Sequence, residues 1–516
     1  MRRSRILKFA AWGFVSTLAA ASGAPRTLAE LQSEAAKGST QAQHELAERY
    51  REGDGVAKDP GAALQWERRA AAGGLALAQN ELGIAFELGE SVGADAAEAV
   101  KWYRLAAEQG LDLGEFNLAR MYAAGTGVPQ DDREAASWSR LAAVQGLREA
   151  QYFLGVAVIA GHGVPMDERA GVYWIRLAAD QGLEVAQVHL GACYAQGIGV
   201  PLDMVEAAGW YRRAAENGSA EGHYRLARCY LHGRGVAQDL DAAMGSFRRA
   251  AALGDQDALV DIGVMYSHGE GVRVDKQEAV KWYRLAADQG NADGQFNLGV
   301  AYARGESVAK DEREAARLYR LAAEQGNARA QLNLGLALTT GRGTPKDPKA
   351  GADWFRRSAE QGNARAQYLL GSAYARGFGA PHDDAEALRW LRRGAEGGFV
   401  QAQVELGERS HLGSGMPRDD AEAAKWYRLA GGHGNVRSLY RLGEMYAHGD
   451  GVSRDEREAY MHYYLAAALG DRMSAVQRDR LVASWTAEAQ ASARTEAQHR
   501  LDHLRSIVAS DAAGER

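Results

Sequence analysis

Two serine motifs in the sequence match patterns of catalytic nucleophiles. Gly89 to Gly93 (GESVG) fits G-x-S-x-G, and Ser307 to Lys310 (SVAK) fits the S-x-x-K pattern of penicillin-recognising enzymes. The first pattern works between a strand and a helix, and the second works together with S-D-N and K-T-G motifs, which this sequence lacks. Both serines instead fall in a recurring interhelix loop. We therefore predict no catalytic residues and no enzyme activity.

Cysteine and histidine each occur in one pair at a fixed spacing. Cys193 and Cys229 are 36 residues apart, and so are His232 and His268. Equivalent positions on neighbouring repeats would place the cysteine Cα atoms about 10 Å apart, beyond the roughly 7 Å limit for a disulfide. We expect two semi-buried free thiols. The histidines lack a nearby third ligand, so exposed helix-end histidines are expected, and no metal or cofactor is predicted.

A 36-residue period positions all of these residues. Glycine recurs at this spacing twelve times from Gly53 to Gly449, and aspartate does so from Asp59 to Asp455, without an insertion or deletion. A fixed period of this length indicates a repeat architecture. We predict an all-α fold, an α-solenoid of twelve 36-residue helix-turn-helix repeats forming a curved superhelix.

Each half of the repeat carries helix signals. In the first half, Ala42, Leu46 and Tyr50 give an apolar stripe with helical spacing. In the second half, the recurring aspartate is followed three residues later by glutamate in eight of the twelve repeats, as in Asp275 and Glu278. This spacing predicts a reciprocal capping box.

Small and large residues alternate in a way that predicts how the helices pack. Position 47 and its equivalents are glycine nine times and alanine three times, which allows close approach of the two helices. The nine tryptophans of the Trp66 series are expected to fill the space between successive repeats. Ser246, Leu318 and His462 replace tryptophan, so looser packing is predicted there.

The consensus A-x-x-x-L-G-x-x-Y-x-x-G-x-G-V-x-x-D-x-x-x-A-x-x-W-Y-R-x-A-A-x-x-G resembles Sel1-like repeats, which are related to tetratricopeptide repeats. The resemblance covers about 430 of the 516 residues. It implies an α-solenoid that serves as an adaptor or scaffold. Exported bacterial members are associated with envelope assembly, signalling and contact with host proteins. Some secreted relatives pair a cysteine in each helix of the repeat, and this chain has no such pairs.

The beginning of the chain has the layout of a secretory signal peptide. A basic start from Arg2 to Lys8 is followed by an apolar run from Phe9 to Ala21 and by small residues. The apolar run is too short to span a bilayer. Cleavage after Ala21, Gly23 or Ala24 fits the pattern, and Pro25 disfavours the last of these. The predicted organisation is a signal peptide over 1–24, a half-repeat cap over 25–38, twelve repeats over 39–470 and capping helices over 471–516.

Composition limits the classes of partner. The formal net charge is −6 at pH 7, which gives no support to nucleic-acid binding. We expect a monomer that is periplasmic or secreted, that does not insert into a membrane after signal removal, and that binds one or more proteins of unknown identity.

The predicted binding surface is the first-helix face, defined by positions 41, 44, 48 and 52 and their equivalents. It is largely apolar in repeats two to five and carries arginine with aromatic residues from repeat eight onward. Exposed apolar groups, and arginine beside tyrosine, are typical of protein-binding hot spots. The apolar set is Leu77, Ile84, Leu88, Leu113, Phe116, Tyr152, Val156, Val185 and Val188. The arginine-aromatic set is Phe296, Arg304, Arg329, Arg365, Tyr368, Arg376, Arg437 and Tyr440.

Two alternatives stay open at this point. Residues equivalent to position 44 could pack between neighbouring first helices, and the arginines could simply be solvated. For function, a scaffold in envelope assembly or signalling is the first expectation. The alternatives are a released protein that engages host molecules and a hydrolase acting on β-lactams.

Overall fold

A computed structural model describes residues 26–514, so the predicted signal peptide lies outside the described residues. Residues 26–514 form 27 α-helices and no strand. None of these helices combines the length and apolar character needed to cross a bilayer. The chain divides into two compact units between Ala258 and Leu259, within one helix.

Twelve repeats run through both units, and each consists of an even-numbered first helix and an odd-numbered second helix. The first unit contains α1 (Leu28–Ala36), α2 (Thr40–Glu52), α3 (Pro60–Ala72), α4 (Ala76–Leu88), α5 (Ala96–Glu108), α6 (Asp112–Ala124), α7 (Asp132–Val144), α8 (Arg148–Ala160), α9 (Glu168–Asp180), α10 (Glu184–Gln196), α11 (Met204–Glu216), α12 (Ala220–His232) and α13 (Leu240–Ala252).

The next helix, α14 (Gln256–His268), contains the division. The second unit continues with α15 (Lys276–Asp288), α16 (Ala292–Arg304), α17 (Glu312–Glu324), α18 (Ala328–Thr340), α19 (Pro348–Glu360), α20 (Ala364–Arg376), α21 (Asp384–Glu396), α22 (Val400–Leu412), α23 (Asp420–Gly432), α24 (Val436–His448), α25 (Glu456–Ala468), α26 (Arg472–Val482) and α27 (Ala487–Gly514). The all-α solenoid of twelve repeats predicted from the period is confirmed.

The second helices start with an aspartate cap, but the predicted capping box is wrong. Asp275 accepts from the backbone N–H of Glu278 at 2.9 Å. Its own N–H is already donated to the carbonyl of Tyr266 at 2.9 Å, so no free donor remains for the glutamate. Glu278 instead accepts the indole N–H of Trp282 at 3.1 Å, one helical turn away. A reciprocal capping box does form at α1, between Thr27 and Glu30.

The two helices of a repeat meet where a first-helix glycine faces a second-helix ring. A Cβ added to Gly83 would lie 2.6 Å from the ring of Tyr103, which is fully buried. Gly407 and Tyr427 repeat this contact in the second unit, at 2.7 Å. In eight of the twelve repeats the small residue at position 47 faces a ring at position 67, a partner that the sequence analysis did not identify.

Successive repeats are joined by tryptophan and by buried glutamine. Trp210 packs against Ile175 of the preceding repeat and against Leu190 of its own, as predicted for this series. Gln79, also buried, donates to the carbonyl of Ala71 in the preceding repeat at 3.2 Å and accepts from Gln109 at 2.7 Å. This amide gives the helix-end carbonyl of Ala71, which already accepts from the Gly74 N–H at 3.0 Å, a second donor from the next repeat.

Candidate protein-binding face

In the first unit, most of the predicted apolar face is only partly exposed. Leu88 is 46% exposed, and Val188 is buried. The remaining members are half-buried: Leu77, Ile84, Leu113, Phe116, Tyr152, Val156 and Val185. Each side chain of this row therefore exposes only part of its apolar surface to solvent.

The aromatic residues equivalent to position 44 contact the next first helix. The rings of Phe116 and Phe153 meet edge to face with centroids 6.0 Å apart, and those of Tyr152 and His189 do so at 5.8 Å. These contacts correspond to the alternative in which position 44 packs between neighbouring first helices. Part of the predicted face is therefore also part of the inter-repeat contact.

In the second unit, three of the five predicted arginines are neutralised within the chain. Arg304 pairs with Glu306 at 3.4 Å. Arg437 pairs with Glu408 at 2.6 Å. Arg329 pairs with Asp293 at 3.1 Å, and its guanidinium lies 4.6 Å from the ring centroid of Phe296, which is itself buried.

Arg365 and Arg376 differ from those three. Both are exposed on α20, and within the described residues neither makes an ion pair or a side-chain hydrogen bond. Eleven residues of helix separate them by about 16 Å. Tyr368 lies between them in sequence, half-buried against Phe399 with ring centroids 5.2 Å apart. This helix therefore presents two uncommitted cations on either side of an anchored aromatic ring.

Tyr440, the last predicted member, is committed to its own helix. Its hydroxyl donates to Glu444 at 2.8 Å, and its ring lies 5.9 Å from that of Tyr463. Burial and the neighbouring Glu444 carboxylate raise the pKa of Tyr440, so its hydroxyl stays protonated.

Comparison with known families agrees with this architecture. The family model described as Sel1 repeat matches twelve segments of the chain: 40–75, 76–111, 113–147, 148–183, 185–219, 220–255, 256–291, 292–327, 328–363, 364–399, 400–435 and 436–471. The chain belongs to the Sel1 repeat family. Proteins of this family are generally non-catalytic scaffolds that bind other proteins.

Solved structures include similar Sel1 repeat proteins. A protective antigen present in uropathogenic Escherichia coli strains, which displays an SLR fold, is 33% identical, with a TM-score of 0.65, over 94% of this chain and 97% of that chain. A Sel1 repeat protein from Oxalobacter formigenes is 31% identical, with a TM-score of 0.39, over 68% of this chain and 90% of that one. No curated protein matches the chain.

Arginine-tyrosine pairs between successive Sel1 repeats were missed in the sequence. Arg284 on a second helix donates to the hydroxyl of Tyr302 on the following first helix at 3.1 Å. Arg356 and Tyr374 form the same bond at 2.6 Å. The signal was present, because arginine and tyrosine recur in these series eighteen residues apart. These arginines join repeats and are not free for a partner.

The residues that suggested other chemistry occupy ordinary repeat positions. Ser91 and Ser307 are exposed loop residues with left-handed φ of 59° and 58°. Cys193 and Cys229 are free and fully buried, whereas semi-buried thiols were expected. Burial raises the pKa of the Cys193 thiol to about 11.

The predicted histidine pair does not form part of a metal-ligand group. His232 and His268 are exposed at helix ends. Across residues 26–514, no group of three or more His, Cys, Asp or Glu side chains is arranged to hold a metal ion.

An ionic network centred on a buried pair in the first Sel1 repeat, and reaching Glu81 of the second, was missed by the sequence analysis. His44 Nδ1 lies 2.7 Å from the Glu67 carboxylate, and both residues are buried. Arg51 donates to Glu67 and to Glu81, each at 3.2 Å. Burial is the largest single effect and opposes the charged form of His44, but the hydrogen bond to Glu67 and the negative charges of Glu67, Glu48 and Glu81 together outweigh it, so the pKa of His44 is raised. Burial also raises the pKa of Glu81.

Proposed function

We propose that the protein is an exported scaffold that binds another protein through its first-helix face, with α20 as the main contact. The observation that carries this proposal is the pair of uncommitted guanidinium groups, Arg365 and Arg376, beside the anchored ring of Tyr368. Arginine and tyrosine are enriched among hot-spot residues. A bound segment with acidic groups would complement the two cations.

The apolar row on the first helices of the first unit is a second, separate candidate zone. Leu88 is the most exposed member of this row. The half-buried members around it would lose their remaining water contact when a partner covers them, which favours binding in proportion to the apolar area removed from water. We assign this zone a supporting role, because its side chains are already largely packed.

Charge reversal tests the main contact. The double variant Arg365→Glu/Arg376→Glu should lose a partner captured from envelope extract by the wild-type protein. Arg320→Glu is the matched control, because Arg320 is also exposed and makes no ion pair within residues 26–514, but it lies on the second helix α17. Equal capture by the double variant and the wild type, with both folded, would contradict the proposal.

Export is part of the proposal and has its own support. The basic start, the apolar run and the small residues before Pro25 have the layout of a cleavable signal. Mass spectrometry of the protein purified from its native host should show a chain that begins after Ala21, Gly23 or Ala24. A chain that retains Met1 and fractionates with the cytoplasm would contradict export.

The site of action distinguishes two roles. Periplasmic retention would favour a scaffold for envelope assembly or signalling, which we propose first. Release into the medium would favour a protein that engages host molecules. The second role is supported by the similarity to an antigen of uropathogenic Escherichia coli strains, at 33% identity over 94% of this chain.

A further inference from the structure

A cleft of about 470 Å³ lies at the carboxyl-terminal end of the repeat array, among α24, α25 and α26. Its lining side chains are Glu444, Ala447, His448, Arg454, Tyr463, Gln477, Arg480 and Leu481. The helix α26 occupies the register of a thirteenth first helix, but the chain then enters α27 without the G-x-G loop of a repeat. The cleft therefore lies where the repeat pattern is interrupted.

An intact pair of repeats shows what the same positions hold elsewhere. In repeats two and three, the carboxylate of Glu87 accepts a hydrogen bond from the hydroxyl of Tyr103 at 2.6 Å. The same carboxylate oxygen pairs with the guanidinium of Arg120 at 3.1 Å. One carboxylate thus satisfies a buried tyrosine and an arginine from the following repeat.

The end of the array keeps two of these three residues. Tyr463, Arg480 and Ala447 are each ten repeat lengths after Tyr103, Arg120 and Glu87, so alanine stands where the carboxylate was. Tyr463 is only 3% exposed, and its hydroxyl makes no hydrogen bond among the described residues. Arg480 is exposed and makes no ion pair within residues 26–514.

The other charged groups of the cleft are already engaged. Glu444 accepts from the Tyr440 hydroxyl at 2.8 Å and from Arg441 at 2.7 Å. Arg454 pairs with Glu456 at 2.8 Å. Tyr463 lines the cleft, and its hydroxyl makes no hydrogen bond within residues 26–514, so it is available to donate to an acceptor that enters.

The same residue types also occur once in the first unit, at Tyr211, Ala195 and Arg228. There the guanidinium of Arg228 lies over the ring of Tyr224, 5.9 Å from its centroid. Arg480 lies over no ring within residues 26–514 and is exposed.

We propose that the cleft binds a carboxylate of a ligand, which takes the place of the missing Glu87 equivalent between the Tyr463 hydroxyl and the Arg480 guanidinium. Charge-assisted hydrogen bonds of this kind are short and directional. The carboxylate can come from an acidic side chain or from the carboxyl terminus of a peptide, because both present the same two oxygens.

Calorimetric titration of the full chain with two peptides tests the site and separates the sources. Acetyl-Gly-Glu-Gly-amide presents only a side-chain carboxylate, and acetyl-Gly-Gly-Gly presents only a terminal one. At least one peptide should bind, and Arg480→Gln and Tyr463→Phe should each weaken that binding about tenfold. Arg472→Gln, a change at an exposed position of the same helix outside the cleft, should not.

Ala447→Glu gives the sharpest control, because it restores the carboxylate within the chain. We expect this variant to lose peptide binding and to unfold at a higher temperature than the wild type. The proposal is wrong if neither peptide binds at millimolar concentration, if Arg480→Gln has no effect, or if Ala447→Glu still binds. Equal affinity for inorganic phosphate would indicate an adventitious ion only. None of these results depends on α20, so this site can fail independently of the proposed function.

Discussion

The first two repeats place different chemistry at the same backbone positions. In repeat two, Gly83 packs against the buried ring of Tyr103. Repeat one has Ala47 and Glu67 at these positions, and Glu67 is buried with His44 as its partner. The comparison shows that the repeat backbone does not require an apolar residue at position 67. It requires that the space be filled and that every buried polar group be paired.

The largest expected effect comes from breaking the ionic pair. Glu67→Ala would leave His44 buried without its acceptor and would remove one carboxylate from Arg51. Removing one partner of a buried ion pair costs about 3–5 kcal/mol. Because long repeat arrays unfold in parts, hydrogen exchange of α2 and α3 is the appropriate measurement. It should accelerate strongly there and little in α22 and α23.

The matched variant gives repeat one the glycine–tyrosine contact of repeat two, together with the phenylalanine that repeat three has at the position of His44, Phe116. Ala47→Gly, His44→Phe and Glu67→Tyr together should restore protection of α2 and α3, since apolar replacement of a complete buried network is often neutral or stabilising. Arg51 keeps Glu81 as a partner in this variant. If the triple variant is as unstable as Glu67→Ala, then the first repeat depends on its ionic network for more than filled space and paired groups.

A smaller effect is expected from adding a methyl group to the packed contact between Gly83 and Tyr103 in repeat two. Gly83→Ala places a Cβ 2.6 Å from the Tyr103 ring, so the ring must move within a packed core. Overpacking of this kind costs about 1–3 kcal/mol. Exchange in α4 and α5 should report the loss. Gly209→Ala is the control, because a Cβ at this helical glycine meets nothing within 4 Å and should stabilise α11 slightly.

The two repeats should also differ in their response to pH. The pKa values of His44 and Glu81 are both raised in the folded protein, from ordinary values of 6.5 and 4.5. The folded state therefore holds these protons more tightly than the unfolded state does, and stability falls as pH rises through the folded pKa values. The charged groups around His44 are Glu48 and Arg51 on α2, Glu67 on α3, and Glu81 on α4, the first helix of repeat two.

Exchange measured at about pH 6 and pH 8.5, corrected for the intrinsic rate, should show α2 and α3 losing protection at the higher pH. The loss from His44 should be complete only above its raised pKa. The triple variant described above lacks His44 and Glu67 and should show a flatter profile. An unchanged difference between the two pH values in that variant would assign the dependence to other groups.

The sequence predicted the fold because its information is periodic. The unbroken 36-residue spacing determined helix number, helix boundaries and the loop positions of Ser91 and Ser307. The network around His44 was missed because it is aperiodic: it occurs in one repeat and joins residues 23 positions apart. The binding face was misjudged for another reason, because equivalent positions of neighbouring repeats were not compared for opposite charge. Asp293, the partner of Arg329, lies one repeat earlier at the equivalent position. Arg365 has an arginine at that place and makes no ion pair within residues 26–514.

The smallest expected effect lies in the loops of the first two repeats. Gly55 in repeat one and Ser91 in repeat two occupy the same left-handed position, with φ of 70° and 59°. The left-handed conformation costs a residue with a Cβ about 1–2 kcal/mol. Glycine avoids this cost, but it loses more conformational entropy on folding, which cancels part of the gain. Ser91→Gly should therefore stabilise repeat two by about 1 kcal/mol or less, visible as slower exchange in α4 and α5. Ser307→Gly should do the same for α16 and α17, because Ser307 has the same φ. If neither change slows exchange, then interactions of the serine side chains offset the backbone strain. The loop would then accept a residue with a Cβ, just as position 67 of repeat one accepts a buried carboxylate.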